Sequence, residues 1–283
     1  MAVARVTAAP PAERRDVRRT PFLYRPVGIW TVRGLTLAAI LAGWQLYARH
    51  LQRALGAPPT RVAQALWGQV WTHHTIYGPL GSSMEALSLG FLLSLAIGIP
   101  VGIAMGRWRA VEHVLDPYIS FLYALPHVAF IPVMVFWLGF RLEFRLAYVV
   151  LSAVFPVIIN TMAGVKNIDP ELLAAGRAFC ASERQIMRGI VLPATAPYMV
   201  AGGRQAFSSA WVGVVVAEVL STQDGLGGLI NHYADYFLTA DMYVPILAIM
   251  AIAITIQNVA SWLQVRLTPW SNTARRERGG NGG

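Results

Sequence analysis

The chain has 283 residues, of which 55% are hydrophobic and 13% are charged, and its formal net charge is +9. About one-quarter of the residues in an average soluble domain are charged, so this composition excludes an ordinary soluble protein and indicates a membrane protein. The single cysteine excludes a disulfide within the chain and, with no neighbouring ligands, argues against a thiolate metal site.

Apolar runs of about 20 residues, the length that crosses a hydrocarbon layer of about 30 Å, predict about six transmembrane helices. They cover residues 29–48, 83–105, 118–140, 146–165, 198–220 and 243–263. The predicted fold is therefore all-α and polytopic, with a membrane domain at residues 29–268. Residues 1–28 and 269–283 are polar and biased in composition, which predicts disordered tails.

The distribution of charge predicts the orientation of these spans. With the N-terminus in the cytoplasm, most of the 23 Lys and Arg residues fall on the cytoplasmic side. The outer side then holds only Arg49, Arg53, Arg61, Arg141 and Arg145. This is the positive-inside pattern, so both termini are predicted to be cytoplasmic. The basic excess reflects topology and predicts no nucleic-acid partner.

Motifs for catalysis or cofactor binding are absent from the sequence. It contains no H-E-x-x-H, no G-x-S-x-G and no Cys/His cluster, and the adjoining His73 and His74 have no carboxylate at ligand spacing. Lys166 is the only lysine and lies in "VKN", so no Walker A loop is present. We expect neither enzymatic activity nor a metal or cofactor bound by this chain; energy must come from an ion gradient or from a partner protein.

A charged segment at residues 169–193, here called the insert, separates the fourth and fifth predicted spans. Asp169 is placed as an N-cap before Pro170, and Ser182 is placed to cap a second helix, which predicts two short amphipathic helices. Such a pair suits docking in a groove of another protein. It equally suits the membrane surface, where Arg184 and Arg188 would contact lipid phosphates.

The insert resembles the EAA loop of ABC importer permeases, whose pattern is E-A-A, three residues, Gly, nine residues and I-x-L-P. The spacing matches throughout, with Ala174 and Cys180 at the usual Glu and Gly, Gly176 at an Ala, and Glu171 one turn earlier. The resemblance implies that the insert couples the spans to an ATPase. The implied coupling residues are Glu171, Ala174, Ala175, Gly176, Arg177, Phe179, Cys180, Ala181, Ser182, Arg184, Ile190 and Pro193.

Further motifs between residues 82 and 263 resemble the subfamily that carries nitrate, taurine, aliphatic sulfonates and related compounds. They are "ALPHVAFIPVMVFWLGF", "FPVIINTMAGVKNIDPELL", "AWVGVVVAEVL" and "DGLGGLI". The resemblance implies a homodimeric type I importer permease in the inner (cytoplasmic) membrane of a bacterial cell. It also implies a separate cytoplasmic ATPase that holds ATP and Mg, and a soluble periplasmic or surface binding protein that delivers the solute.

A polar stripe on the fifth span predicts a translocation pathway, because ionisable residues inside spans are costly and mark functional candidates. The predicted pathway residues are Ser120, Tyr123, His127, Asn160, Arg204, Ser208, Trp211 and Glu218, with Asp224, Gly225 and Gly227 as a gate loop. In the alternative interpretation Arg204 snorkels, Glu218 holds the gate loop and His127 is a packing residue. An ion-coupled carrier and a membrane-embedded enzyme are the competing classes, and neither has the buried carboxylates at mid-depth or the catalytic groups that it requires.

Overall fold

The computed structural model describes residues 26–50, 56–221 and 224–267, and these ranges contain helices and connecting segments without any β-strand. Two π-helical turns, Gly68–Thr72 and Met187–Val191, continue α2 and join α8 to α9. The helices are α1 (Pro26–His50), α2 (Pro59–Trp67), α3 (Tyr77–Arg107), α4 (Arg109–Ala124), α5 (Ile131–Leu138), α6 (Leu142–Lys166), α7 (Pro170–Ala178), α8 (Glu183–Ile186), α9 (Leu192–Ser221), α10 (Gly225–Asp235) and α11 (Thr239–Leu267).

Five described segments are long and apolar enough to cross a membrane, and they contain α1, α3, α6, α9 and α11. These segments confirm five of the predicted spans. A sixth span exists if α4 and the segment His127–Leu138 are taken together as one bent span. The predicted tails at residues 1–28 and 269–283 lie outside the described residues, apart from the first turn of α1.

The third predicted span, residues 118–140, is not a straight helix, because the chain bends by 92° between α4 and the segment His127–Leu138. The bend lies at Leu125, which has an extended backbone conformation (φ −74°, ψ 143°), and a short 3₁₀ turn follows at His127–Phe130. Pro126 is the physical cause, since a proline disfavours the helical conformation of the residue before it. The five prolines that lie inside helices, such as Pro156 in α6, leave their helices continuous.

The core consists of α3, α6 and α9, which pack closely because α3 presents small residues along one face. Gly90, Ser94, Gly98, Gly102 and Gly106 recur at every fourth position, and all but the partly buried Gly106 are fully buried. A Cβ atom added at Gly102 would lie 2.7 Å from the carbonyl oxygen of Ile158. Small residues at helical spacing allow this close approach of backbones, which is how helices associate inside membranes.

Two helices that frame this core have different environments. The sequence analysis did not predict the amphipathic α2. The π-helical turn that continues α2 joins it to α11 through Gln69, whose Nε2 donates to the Oδ1 of Asp241 at 3.1 Å. In contrast, α1 exposes most of its apolar side chains and contacts the rest of the chain near its C-terminal end. There Gln45 hydrogen-bonds Thr60, and Trp44 lies 5.4 Å from Tyr243 between ring centroids.

Candidate functional site

The insert follows α6 directly and forms two capped helices, which confirms the prediction made from Asp169, Pro170 and Ser182. The N–H of Glu171 donates to the carboxylate of Asp169 at 2.8 Å, and Pro170 occupies the first turn of α7. Ser182 and Gln185 form a reciprocal capping box at the start of α8. These caps satisfy N–H groups that would otherwise lack partners, so the local sequence alone defines both helix starts.

Cys180 occupies the turn between α7 and α8 in the left-handed region, with φ of 55°. The N–H of Ala181 donates to the carbonyl of Gly176 at 3.0 Å, and the N–H of Cys180 donates to that of Arg177 at 2.9 Å. This pair of hydrogen bonds defines a Schellman motif, in which glycine is the usual residue at the Cys180 position. The turn therefore keeps the geometry that a glycine would adopt, although a side chain is present.

One face of the insert packs on the end of α6 and the other face is exposed. Ile186 and Val191 are buried against Val165 and Ile168. Gly176 makes room for this packing, because a Cβ atom there would lie 2.9 Å from the Cδ1 of Ile190. The coupling residues Gly176, Ala181 and Ile190 are half-buried, whereas Glu171, Ala174, Ala175, Arg177, Phe179, Cys180, Ser182, Arg184 and Pro193 are exposed.

Two large apolar side chains project from the exposed face of the insert. Phe179 is 87% exposed and Leu172 is 53% exposed, although both lie in otherwise amphipathic segments. Because Ile186 and Val191 of the insert are buried whereas these two larger side chains are not, they mark a surface that is suited to a partner.

One ion pair joins the insert to the end of α3, and a second joins the end of α6 to the beginning of α4 next to the insert. Arg107 Nη2 lies 2.8 Å from Glu183 Oε2, and Lys166 Nζ lies 2.5 Å from Glu112 Oε1. Arg107, Glu183 and Arg177 also line a groove of about 580 Å³ beside the insert. The C-terminal ends of α3 and α6 and the beginning of α4 therefore lie next to the insert.

A groove of about 410 Å³ lies between the bend after α4, α6 and α9, and it brings together three predicted pathway residues, Tyr123, His127 and Ser208. The imidazole of His127 stacks on Phe155 at 5.9 Å between ring centroids. The further lining residues are Val128, Tyr148, Ser152, Ser209, Val212, Gly213 and Val216. Of these, Tyr148, Ser152 and Ser209 carry hydroxyl groups that the sequence analysis missed.

The structure places the other predicted pathway residues away from this groove. Trp211 is buried in the core, and Asn160 donates to Gln205 Oε1 at 3.3 Å and to the carbonyl of Pro156. Ser120 is exposed on α4, and Arg204 is half-buried on α9. The face of α9 that borders the groove consists of Ser208, Ser209, Val212, Gly213 and Val216, and it shares only Ser208 with the predicted stripe.

Glu218 lies in a buried polar cluster, here called the Glu218 cluster, that consists of Ser82, Ser83, Arg145 and Glu218. Ser83 Oγ lies 2.8 Å from both carboxylate oxygens of Glu218, and Arg145 Nη1 lies 3.5 Å from Oε1. Arg145 Nη1 also donates to Ser82 Oγ at 2.7 Å. Glu218 is 0% exposed and Arg145 is 5% exposed, so both are removed from solvent.

The predicted gate loop begins directly above this cluster. Gly227 N–H donates to Glu218 Oε2 at 3.1 Å, and Leu226 N–H donates to Ser83 Oγ at 2.9 Å. Gly225 has φ of 79°, and a Cβ atom there would overlap the Glu218 carboxylate. Asp224 is exposed at the start of α10. Glu218 thus binds the gate loop, which is the second of the two roles considered for it above.

The sequence analysis missed Ser82, Ser83 and Arg145 as partners of Glu218. Arg145 was assigned to an outer loop because it lies close to a predicted span end, whereas the structure places it inside α6. The available signal was an arginine between Phe144 and Leu146 at the start of an apolar run, since a buried charge requires a partner. Among the described residues, no group of three or more His, Cys, Asp or Glu side chains suits a metal ion.

Comparison with known proteins agrees with this arrangement of spans and insert. Residues 98–272 match the binding-protein-dependent transport system inner membrane component family. The chain is 31% identical over 266 residues to the putative aliphatic sulfonates transport permease protein SsuC of Escherichia coli (strain K12), covering 92% of this chain and 94% of that protein. It is 30% identical over 241 residues to the taurine transport system permease protein TauC of the same organism, covering 83% of this chain and 88% of that protein.

A solved structure supports the fold. A chain of the MetNI methionine ABC transporter in inward-facing conformations superimposes with a TM-score of 0.54 at 17% sequence identity. The match covers 74% of this chain and 97% of that chain. With membrane-length helices in the importer permease arrangement and a family match over more than half of its length, this chain belongs to the binding-protein-dependent transport system inner membrane component family of ABC importer permeases.

Proposed function

We propose that this chain is the membrane-spanning permease subunit of an ATP-driven importer for a small anionic solute such as a sulfonate, taurine, nitrate or a related compound. A soluble binding protein delivers the solute, and a separate cytoplasmic ATPase subunit binds ATP and Mg. The sulfonate and taurine permeases among its relatives support the choice of solute. The localisation that fits is the inner (cytoplasmic) membrane, with two copies of the chain in one transporter.

The insert is the observation that carries the proposal. It is rigidly capped, packed on α6 and continuous with α9, yet it exposes Phe179 and Leu172. In this account the exposed face docks in a groove of the ATPase, in the manner of an amphipathic helix. Closure of the ATPase then moves α6 and α9 together, because the insert is the covalent link between them.

Co-purification of the complex tests this docking. We expect a cognate ATPase to co-purify stoichiometrically with the wild-type chain and to dissociate when Phe179→Ser removes the exposed aromatic side chain. Phe140→Ser is the matched control, because Phe140 is a similarly exposed phenylalanine on the chain segment before α6. Equal retention of the ATPase by Phe179→Ser and the wild type would contradict the proposal.

The pathway follows the groove that lies between α6, α9 and the bend that follows α4. Tyr123, His127 and Ser208 line it. In this proposal Ser120, Asn160 and Arg204, which lie outside the groove, contribute to the pathway beyond it. Its polar groups are hydroxyls and an imidazole, which bind oxyanions through hydrogen bonds. Trp211 supports the groove from the core, and Glu218 with the gate loop closes the outer end.

Uptake by the assembled complex tests this pathway. We expect Arg204→Ala, Ser208→Val and Glu218→Gln to reduce uptake of the solute in complexes that retain normal ATP hydrolysis. Ser261→Val, on the last helix and away from the groove, is the matched control for Ser208→Val. Unaltered uptake in all three variants would discard this pathway.

A further inference from the structure

The buried ion pair in the Glu218 cluster has a structural role in addition to the pathway role proposed above. Glu218 on α9 and Arg145 on α6 are both removed from solvent, and Ser82 and Ser83 on α3 supply the nearby hydroxyls. An ionised side chain inside a protein is expensive unless it is paired and hydrogen-bonded. Three spans therefore converge on one carboxylate.

The same carboxylate fixes the beginning of α10. Its Oε2 accepts from the N–H of Gly227, while Ser83 Oγ accepts from the N–H of Leu226. Space around these contacts is minimal, because a Cβ atom added at Gly227 would lie 2.6 Å from the Cβ of Glu218. Leu226 itself is fully buried in the core. The start of α10 thus has no room to rotate or slide against α9.

We infer that Arg145 and Ser83 are positioning residues that lock the gate loop to α3, α6 and α9 through Glu218. The outer gate then moves as one unit with the ends of these spans and does not open as an independent lid. The reason is energetic, because a lid movement would break the hydrogen bonds that Gly227 N–H donates to Glu218 and Leu226 N–H donates to Ser83, and buried polar groups that lose a partner are costly. The conclusion that these contacts control an outer gate rests on the proposed function. The contacts themselves do not depend on it.

Thiol labelling of a reporter cysteine tests the lock. In a Cys180→Ser background the chain has no other cysteine, so Leu226→Cys places a single thiol at the locked position. In the full chain in lipid nanodiscs we expect this thiol to be protected from a water-soluble maleimide. Loss of one charge-assisted hydrogen bond should accelerate labelling by about tenfold or more, because labelling follows the local opening equilibrium.

The variants separate positioning from general packing. We expect fast labelling in Arg145→Met and Glu218→Ala, and protection in Arg145→Lys, which keeps the charge. The double variant Arg145→Met/Glu218→Gln removes both charges and should label more slowly than Arg145→Met, whereas a merely space-filling role predicts additive effects. The controls Arg141→Met and Glu85→Gln change exposed charges close in sequence and should label as slowly as the parent.

Two further measurements make the result decisive. Hydrogen exchange at the amides of Leu226 and Gly227 reports the same opening without a reporter mutation. In the complete transporter, the thiol should remain protected both at rest and when the ATPase is trapped with vanadate. Labelling of the thiol on trapping, or equal labelling of Arg145→Met and Arg141→Met, would overturn the inference. Absence of an ATPase partner would instead overturn the proposed function and leave the nanodisc result standing.

Discussion

At the scale of single residues, Cys180 shows how a turn keeps its geometry when its preferred residue is replaced. The backbone at this position needs positive φ, and the two hydrogen bonds of the Schellman motif form as they would with glycine. An L-residue with a Cβ atom is strained in the left-handed region. The sequence pattern identified the departure at Cys180, but the preserved turn became evident only from the backbone conformation.

Removal of that strain should stabilise the chain. We expect Cys180→Gly to raise the free energy of unfolding of the insert by about 1 kcal/mol, because glycine adopts positive φ without a steric penalty. Cys180→Ala keeps the Cβ atom and is the matched control, with no gain expected. Hydrogen exchange of residues 176–182 measures the difference, and equal protection in the two variants would show that the turn carries no strain.

At the scale of elements, the association of α3 with α6 depends on the small residues of α3. Hydropathy predicted both spans, because each is a run of apolar residues of sufficient length. It did not predict which face of α3 contacts α6, since Gly90, Gly98 and Gly102 count as ordinary members of an apolar run. Close approach depends on both helices. It is shown by the 2.7 Å between a Cβ atom added at Gly102 and the carbonyl oxygen of Ile158.

A single methyl group on this face should separate the two helices. We expect Gly102→Ala to destabilise the fold by about 1–3 kcal/mol, because the neighbouring Ile158 carbonyl belongs to the backbone and cannot move aside. Gly81→Ala is the matched control on the same helix, where a Cβ atom meets nothing within 4 Å. Thermal unfolding of the two purified variants compares them, and a Gly102→Ala midpoint at or above that of Gly81→Ala would contradict this packing.

The attachment of the insert depends more on apolar burial than on its ion pairs. Ile186 in α8 is buried against the end of α6. We expect Ile186→Ala to cost about 2–5 kcal/mol of local stability. Glu183→Gln removes the partner of Arg107 but should have little effect, because the Glu183 side chain is largely exposed and its ion pair is screened by solvent. Hydrogen exchange across the insert distinguishes the two variants, and a larger loss of protection in Glu183→Gln would contradict this ranking.

At the scale of the whole molecule, the fold holds two groups of contacts at opposite ends of α6. The insert lies beyond Lys166 at one end, and the Glu218 cluster forms around Arg145 at the other. A helix of this length spans roughly 38 Å, which exceeds the hydrocarbon thickness of about 30 Å. In the proposed transporter, α6 and α9 therefore connect the ATPase contact directly to the outer gate.

Sequence reasoning predicted the parts of this arrangement that depend on local composition. The apolar runs gave five spans, and Asp169, Pro170 and Ser182 gave the helix starts of the insert. Contacts between distant residues were not predictable in this way. The presence of Pro126 did not identify the bend, because five other prolines lie inside helices that stay continuous, and the pairing of Arg145 with Glu218 joins residues on separate spans.

The central claim is that the exposed face of the insert contacts a separate ATPase, and site-specific photocrosslinking tests it most directly. A photoreactive phenylalanine analogue at position 179 should crosslink to the ATPase in the native membrane. The same analogue at Tyr236, an exposed aromatic residue at the far end of the molecule, should not do so. Crosslinks from position 179 only to lipid, or ATPase crosslinks from position 236, would contradict the account.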